Sequence, residues 1–101
     1  MQRQTLYDER MIASFRCSET EKIYKQQRSR SYVNIQRAAF RKLILLEGMT
    51  ALSDLTGAGK SLEALRGNRK AQHAIRINEQ FRLCFLWKNG KAYNVEIVDY
   101  H

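Results

Sequence analysis

Near the C-terminus, alternating segments separated by short turns constrain the fold more than any other feature of the chain. Phe81–Trp87 and Ala92–Val98 alternate between apolar and other residues, and they flank Asn89-Gly90, a strong signal for a two-residue β-hairpin. Ala74–Asn78 alternates as well, with Glu79-Gln80 as a plausible tight turn after it. These segments predict an antiparallel meander of three strands.

A period of two places alternate residues of these strands on opposite faces of the sheet. The face that we expect to pack against helices carries Ile75, Ile77, Phe81, Leu83, Phe85, Tyr93, Val95 and Ile97. The other face would carry Arg76, Arg82 and Glu96. The sequence therefore predicts an open, basic face on the side of the sheet away from the helices.

The first half of the chain has a helical period. Ser18-x-x-Glu21 fits a capping box, which predicts a helix that runs to about Gln27. A second helix is expected from about Ser31 until Gly48 ends it. Its stripe, spaced by three and four residues, consists of Val33, Arg37, Phe40, Leu43, Ile44 and Leu46. With Met11–Arg16 as a first strand, the pattern predicts an α+β fold in which two N-terminal helices pack on a small, mainly antiparallel sheet.

The 101 residues are expected to form one domain. We assign this domain to residues 11–101, because residues 1–10 are polar and have no clear period, and we treat them as an N-terminal extension. The longest apolar run, Leu83–Trp87, is far shorter than the roughly 20 residues that cross a bilayer, and no signal peptide is evident. We therefore expect a cytoplasmic protein that does not contact membranes.

The sequence lacks the motifs of disulfide frameworks, zinc sites and P-loop nucleotide sites. Cys17 and Cys84 are isolated in the sequence, so we expect reduced thiols and neither a disulfide framework nor a zinc site. Gly59-Lys60-Ser61 imitates the end of a P-loop, but Asp54 stands where that motif requires its first glycine. Two histidines without a His-Glu-x-x-His motif are too few for a typical zinc hydrolase. We expect no metal and no cofactor.

The net charge of +8 and the pI near 9.9 point to a polyanionic partner, since lysine and arginine gain most by displacing counterions from phosphate backbones. Residues 60–91 hold much of the excess, with eight basic side chains against two acidic ones. A solvated basic surface without a specific partner is the plainer explanation.

Metal-free RNA cleavage through the 2′-hydroxyl requires a base, an acid and cations that stabilise the phosphorane. The groups that could accept, donate or relay a proton are Glu63, His73, Asp99, Tyr100 and His101. Arginine forks suit phosphate oxygens, and the candidates to hold the phosphate are Arg66, Arg76 and Arg82. Arg69, Lys70, His73 and Arg76 are candidate RNA contacts.

Each candidate also has a simpler role. A terminal histidine is usually exposed, His73 could form a hydrogen bond at the start of a strand, and Tyr100 could pack against the protein. Arginines could only solubilise a sheet face, and Glu63 could pair with Arg66 three residues on. The joint occurrence of these groups makes RNA cleavage a hypothesis, and the simpler roles stay open at this point.

The segments Leu62–Arg69, Gln72–Phe85 and Val95–His101 resemble the HigB toxins, the host-inhibition branch of the RelE-like toxin superfamily. The resemblance covers roughly Met11–His101 and is specific from Leu62 onward. The closing Asp-Tyr-His is characteristic of this branch.

The resemblance implies a microbial-ribonuclease-like fold and a ribosome-dependent endoribonuclease that cuts mRNA in the A site of the 30S subunit. It also implies a HigA-type helix-turn-helix antitoxin as partner. The toxin would contact operator DNA only as part of its complex with this antitoxin. By position, Asp99, Tyr100 and His101 match the terminal active-site residues of the family, Arg82 matches a phosphate-binding arginine, and Arg66 stands where members have a basic residue.

Glu63 departs from the family pattern, because some members have histidine there. Either Glu63 is the base in this chain, or proton transfer depends on Tyr100 and His101. An alternative of a different class is a non-catalytic basic module that binds RNA or an acidic protein and regulates by occupying its binding site.

Overall fold

The computed structural model of the chain describes residues 11–52, 62–64 and 72–99. In these ranges the protein is an α+β structure, as predicted, with helices packed over one face of a four-stranded sheet. No helix within the same ranges is long and apolar enough to cross a membrane.

The sheet is a meander. Its strands are β1 (Leu62–Ala64), β2 (Gln72–Arg76), β3 (Phe81–Lys88) and β4 (Lys91–Asp99). They lie in this order and each neighbouring pair is antiparallel, which confirms the predicted topology of the last three. Asn89 and Gly90 have φ values of 51° and 78°, as a type I′ hairpin turn requires. β1 was not predicted, because three residues are too few to show a period.

A bulge in β4 changes which of its residues face the helices. Leu86 pairs with Tyr93 but Cys84 pairs with Glu96, one residue further along β4 than regular pairing from the hairpin would place its partner, and Asn94 has a left-handed φ of 55°. Ala92 is consequently buried in the core, whereas Tyr93 lies on the opposite face, where Lys88 Nζ is 5.6 Å from its ring centre. The prediction that Tyr93 faces the helices is therefore wrong.

The other residues predicted for the helix-facing side of the sheet do pack there. Six are buried in the main core and the seventh, Phe81, packs against it; the six are Ile75, Ile77, Leu83, Phe85, Val95 and Ile97. Burial of this apolar surface is the main driving force for docking the helices.

The opposite side of the sheet, here called the outer face, is less open than predicted. Arg76 is exposed, but Arg82 is only 7% exposed. Ala74 and Cys84 are fully buried on this face, with Val98 packed against them. The basic groups of the outer face therefore adjoin a small apolar patch.

Helix α1 spans Ser18–Tyr24. The predicted capping box is not formed: Cys17 is the N-cap, with extended backbone, and no side chain of the described residues caps this end. Ser18 is already helical, so its hydroxyl is not in the capping position, and Glu21 forms an ion pair one turn along the helix instead. Helix α1 also ends earlier than predicted, with Gln26 at a φ of 62°.

A 3-10 turn, Val33–Ile35, leads into helix α2, Gln36–Glu47, and Gly48 ends it as predicted. The predicted apolar stripe is broader than the surface that the helix buries. Its fully buried residues are Ala39, Leu43 and Leu46. Val33 and Ile44 belong to the predicted stripe but are 46% and 48% exposed.

The free edge of β4 is covered by the N-terminal segment. Met11–Arg16, predicted as a strand, forms two isolated parallel bridges, from Ile12 to Ala92 and from Phe15 to Val95. Backbone hydrogen bonds of 2.7–3.0 Å join the two segments. This covering protects the edge from pairing with another chain.

Side chains continue the covering towards the end of β4. The Ile97 amide donates to Thr20 Oγ1 of α1 at 3.0 Å, and the Tyr32 hydroxyl donates to the Ile97 carbonyl at 3.4 Å. The helical layer is thereby tied to the strand that carries Asp99.

Candidate active site

Arg82 is the second residue of β3 and is held by the turn before that strand. Its Nη1 donates to the Asn78 carbonyl at 2.9 Å and to the Phe81 carbonyl at 3.3 Å. The turn itself is braced, because Asn78 Oδ1 accepts the amides of Gln80 and Phe81 at 2.8 and 2.7 Å. These two carbonyl acceptors fix the position of the guanidinium on the outer face.

Arg76 lies directly opposite Arg82 in the β2–β3 register, so the two arginines share the outer face. Like charges opposite each other in a sheet are ordinarily unfavourable. An anion between or above them would remove that repulsion, and phosphate is the anion that arginine forks fit best. The pair is therefore a candidate phosphate site.

Asp99 is the last residue of β4 and is exposed. It pairs in register with Phe81, next to the pair formed by Arg82 and Val98. Gln80 Nε2 donates to Asp99 Oδ2 at 3.1 Å. The β2–β3 turn thus contacts both Asp99 and Arg82, although alternation places their side chains on opposite faces at the same end of the sheet.

A cleft of about 390 Å³ opens at Gln80, the residue that donates a hydrogen bond to Asp99. It lies between the loop that precedes α2 and the β2–β3 turn, and its lining includes Arg30, Tyr32, Asn34, Gln80 and Phe81. The Tyr32 and Phe81 rings meet edge to face, with centroids 5.8 Å apart. Sequence reasoning missed Tyr32 and Gln80; the available signal for Tyr32 was an aromatic residue within an arginine-rich loop.

Tyr32 stays protonated at neutral pH. Burial raises the pKa of its hydroxyl above the ordinary value of 10.0, and the neighbouring acidic groups act in the same direction. These groups are Cys17, Glu96, Glu19 and Asp99. Tyr32 is therefore a hydrogen-bond donor at the edge of this cleft and not a base.

His73 does not share a face with the arginine pair. It lies opposite Phe85 in the register, and the two rings stack with centroids 6.1 Å apart and an interplanar angle of 26°. Its Nδ1 is buried and accepts no hydrogen bond from the described part of the chain. The structure thus places His73 on the helix-facing side of the sheet.

Glu63 lies in β1, where its backbone pairs with Ala74. Five further candidates lie outside the residues that the structure describes: Arg66, Arg69, Lys70, Tyr100 and His101. The roles predicted for them remain predictions. Among the described residues, no cluster of three or more histidine, cysteine, aspartate or glutamate side chains could hold a metal ion.

Comparison with known proteins gives two concordant results. Residues 13–101 match the model of the HigB-like toxin family, described as the RelE-like toxin of the type II toxin-antitoxin system HigB. The chain is also 37% identical over 87 residues to Toxin HigB-1 of Vibrio cholerae serotype O1 (strain ATCC 39315 / El Tor Inaba N16961), a match that covers 83% of this chain and 92% of the relative. The chain therefore belongs to the HigB-like family of RelE-like toxins of type II toxin-antitoxin systems.

Proposed function

We propose that this toxin is a metal-independent endoribonuclease that cuts mRNA in the ribosomal A site and so inhibits translation and growth. A translation-inhibiting ribonuclease role is typical of its family. The observation that carries the proposal is the cross-strand pair of Arg76 and Arg82. Arg82 pairs with Val98 on its other side, one residue before the end of β4 at Asp99.

In the proposed reaction, the 2′-hydroxyl of the message attacks the adjacent phosphate and the 5′-oxygen leaves. Arg66, Arg76 and Arg82 stabilise the charge on the phosphorane oxygens. Tyr100 and His101 move the protons and Asp99 orients His101, with Glu63 as the alternative base. A 2′,3′-cyclic phosphate and a new 5′-hydroxyl are the expected products.

Arg69 and Lys70 would extend the RNA contacts along the chain from Arg66. His73 has a different environment, since it stacks on Phe85 on the helix-facing side of the sheet. That position favours a packing role for His73, whereas Arg76 on the outer face is placed for RNA.

The partners in this proposal are the 30S A site, the message and a HigA-type helix-turn-helix antitoxin, with operator DNA reached only through the antitoxin complex. The chain would work in the cytoplasm, and its wider architecture would be microbial-ribonuclease-like. The ribosome would position the message, so the toxin needs only a few weak acid-base groups of its own.

The test is induced expression in growing cells with the 5′ ends of messages mapped at nucleotide resolution. We expect growth arrest and new 5′-hydroxyl ends within codons. Replacing both Tyr100 and His101 with alanine should abolish these ends, whereas Lys88→Ala on the hairpin should leave them. Growth arrest without new message ends would contradict the proposal and favour a basic module that acts by occupancy.

A further inference from the structure

The outward side of α2 and of the 3-10 turn before it carries more apolar surface than a solvated helix requires. Val33 and Ile44 are 46% and 48% exposed, and Phe40 is only partly buried. Phe40 and Ile44 are four residues apart and so lie on one side of the helix. A groove of about 360 Å³ runs along this side, lined by Ile23, Gln26, Val33, Gln36, Arg37 and Phe40.

The charges at this groove have one sign. Arg37 lines it, and Arg41 follows four residues further along the same helix. Neither forms an ion pair with a carboxylate in the described ranges, where the ion pairs involve Arg16, Lys22 and Lys25. The groove therefore has apolar positions beside cations that no carboxylate of the described ranges neutralises.

The groove and the cleft that Gln80 lines share one lining residue. Val33 lines both, so the two depressions meet at this exposed side chain. The cleft adds a third cation, Arg30, and ends at Gln80, which donates to Asp99. A single extended or helical segment could lie along both and reach the terminus of β4.

We infer that this surface, from Ile44 through Val33 to the cleft at Gln80, binds an acidic, amphipathic segment of the antitoxin. Its apolar side chains would enter the groove at Val33 and Phe40, and its carboxylates would pair with Arg37 and Arg41. Charge complementarity and exposed apolar anchors are the features by which grooves recognise amphipathic segments. Binding there would also block access of RNA to the end of β4, and this second consequence rests on the proposed function.

RNA is the less suitable occupant of the groove. Phosphates would gain from Arg37 and Arg41 but would leave Val33 and Ile44 exposed to water, because the sugar-phosphate backbone offers little apolar surface at this spacing. A protein segment satisfies both the charges and the apolar side chains.

The test measures the affinity of the purified cognate antitoxin for the full-length toxin and two variants, Val33→Asp/Ile44→Asp and Arg37→Glu. Both replaced sets lie at the surface, which favours normal folding. We expect binding at least about 30-fold weaker for the double variant, as for loss of a binding hot spot. Lys42→Glu is the matched control. Lys42 is five residues beyond Arg37, and at about 100° per residue it therefore lies on a different side of α2.

Growth assays give a second readout. Each variant should still arrest growth when expressed alone, which shows that it is folded, but co-expressed antitoxin should no longer rescue the cells. Antitoxin affinity within threefold of the unmodified toxin would overturn the inference. Lost toxicity with unchanged affinity would also overturn it and would identify the surface as a ribosome contact. If the unmodified toxin cut no message, the proposed function would be wrong. The comparison of antitoxin affinities among the variants would still test whether the antitoxin binds this surface.

Discussion

Gln80 Nε2 donates a hydrogen bond of 3.1 Å to Asp99 Oδ2, which joins the β2–β3 turn to the last residue of β4. The same turn supplies the Asn78 carbonyl that Arg82 contacts through Nη1. One braced turn thus sets the positions of the proposed orienting carboxylate and the proposed phosphate-binding arginine. Neither Gln80 nor Asn78 would be noticed as a site residue from its chemistry alone.

Gln80→Ala should lower mRNA cleavage because Asp99 loses the hydrogen bond that Gln80 Nε2 donates to it. A hydrogen bond to a charged group contributes about 1.5 to 3 kcal/mol when shielded, and exposure reduces this, so we expect a loss of roughly three- to tenfold. In a reconstituted ribosome assay, kcat should fall while KM stays nearly constant, since Gln80 acts by positioning.

Glu79→Ala is the control for that substitution, because Glu79 lies in the same exposed turn. Its cleavage rate should remain within a factor of two of the unmodified toxin. Equal losses in both variants would show that the turn as a whole matters and not the contact between Gln80 and Asp99.

Arg82→Ala should reduce cleavage far more than Lys88→Ala. Arg82 is 7% exposed and held by two carbonyls, whereas Lys88 is an exposed side chain at the hairpin. Loss of one fixed charge-stabilising donor typically costs about 100-fold or more in kcat.

Burial of Arg82 requires a folding control for this comparison. Arg82→Lys keeps the charge but not the fork, so it should be impaired as well, and thermal melting would show whether both variants remain folded. Similar activity losses for Arg82→Ala and Lys88→Ala would indicate that only overall positive charge matters.

The sequence was most informative where local chemistry determines the structure. Asn89-Gly90 predicted the hairpin because only residues that tolerate positive φ form a type I′ turn. The core face of β3 followed from the period of two that strands have. Alternation failed for Tyr93, since the bulge at Asn94 depends on pairing with the neighbouring strand and leaves no mark in a period of two.

The candidate site was predictable in its residue types but not in its arrangement. Arg76 and Arg82 were expected on one face, and the register places them opposite each other. The burial of Arg82 and the turn that holds it arise from tertiary contacts. Val33 and Ile44 were predicted to be buried as part of the apolar stripe, but both are exposed. A helical period identifies apolar side chains, and it does not show whether the chain itself or a partner covers them.

Glu47→Gln should destabilise the fold. The Glu47 carboxylate accepts the amides of Met11 and Ile12, at 2.9 and 3.2 Å, and the Tyr24 hydroxyl at 3.1 Å. An amide side chain offers only one acceptor oxygen, so we expect a decrease of about 1 to 2 kcal/mol in the free energy of unfolding. Urea titration measures it, with Lys42→Ala on the same helix expected to stay within about 0.5 kcal/mol.

Glu19 should make the stability of the toxin depend on acid pH. The Ser29 hydroxyl, at 2.7 Å, and then Lys22 donate hydrogen bonds that lower the pKa of Glu19 below its ordinary value of 4.5. Its stabilising contribution is therefore present above pH 4.5 and is lost as the pH falls through the lowered pKa.

Melting temperatures of Glu19→Gln and the unmodified toxin test this dependence. The variant should melt lower at pH 7, and the difference should shrink below pH 4.5 as the native carboxylate is protonated. Glu21→Gln on the same helix provides the comparison for removing an acidic side chain from α1. A difference that is constant from pH 7 to pH 3 would refute the assigned role of the Glu19 charge.

Asn94 should tolerate glycine better than any β-branched residue. Its φ of 55° is left-handed, its side chain is exposed, and its amide donates to Ser14 Oγ at 2.9 Å, so the position depends on backbone conformation and not on packing. Asn94→Val should cost about 1 to 2 kcal/mol in the free energy of unfolding, whereas Asn94→Gly should be nearly neutral. Urea titration of the two variants compares them at one site. Equal stability of the two variants would mean that the bulge relaxes when Asn94 is replaced. Trp87 pairs with Ala92 beside the bulge, so its fluorescence would then change in the valine variant.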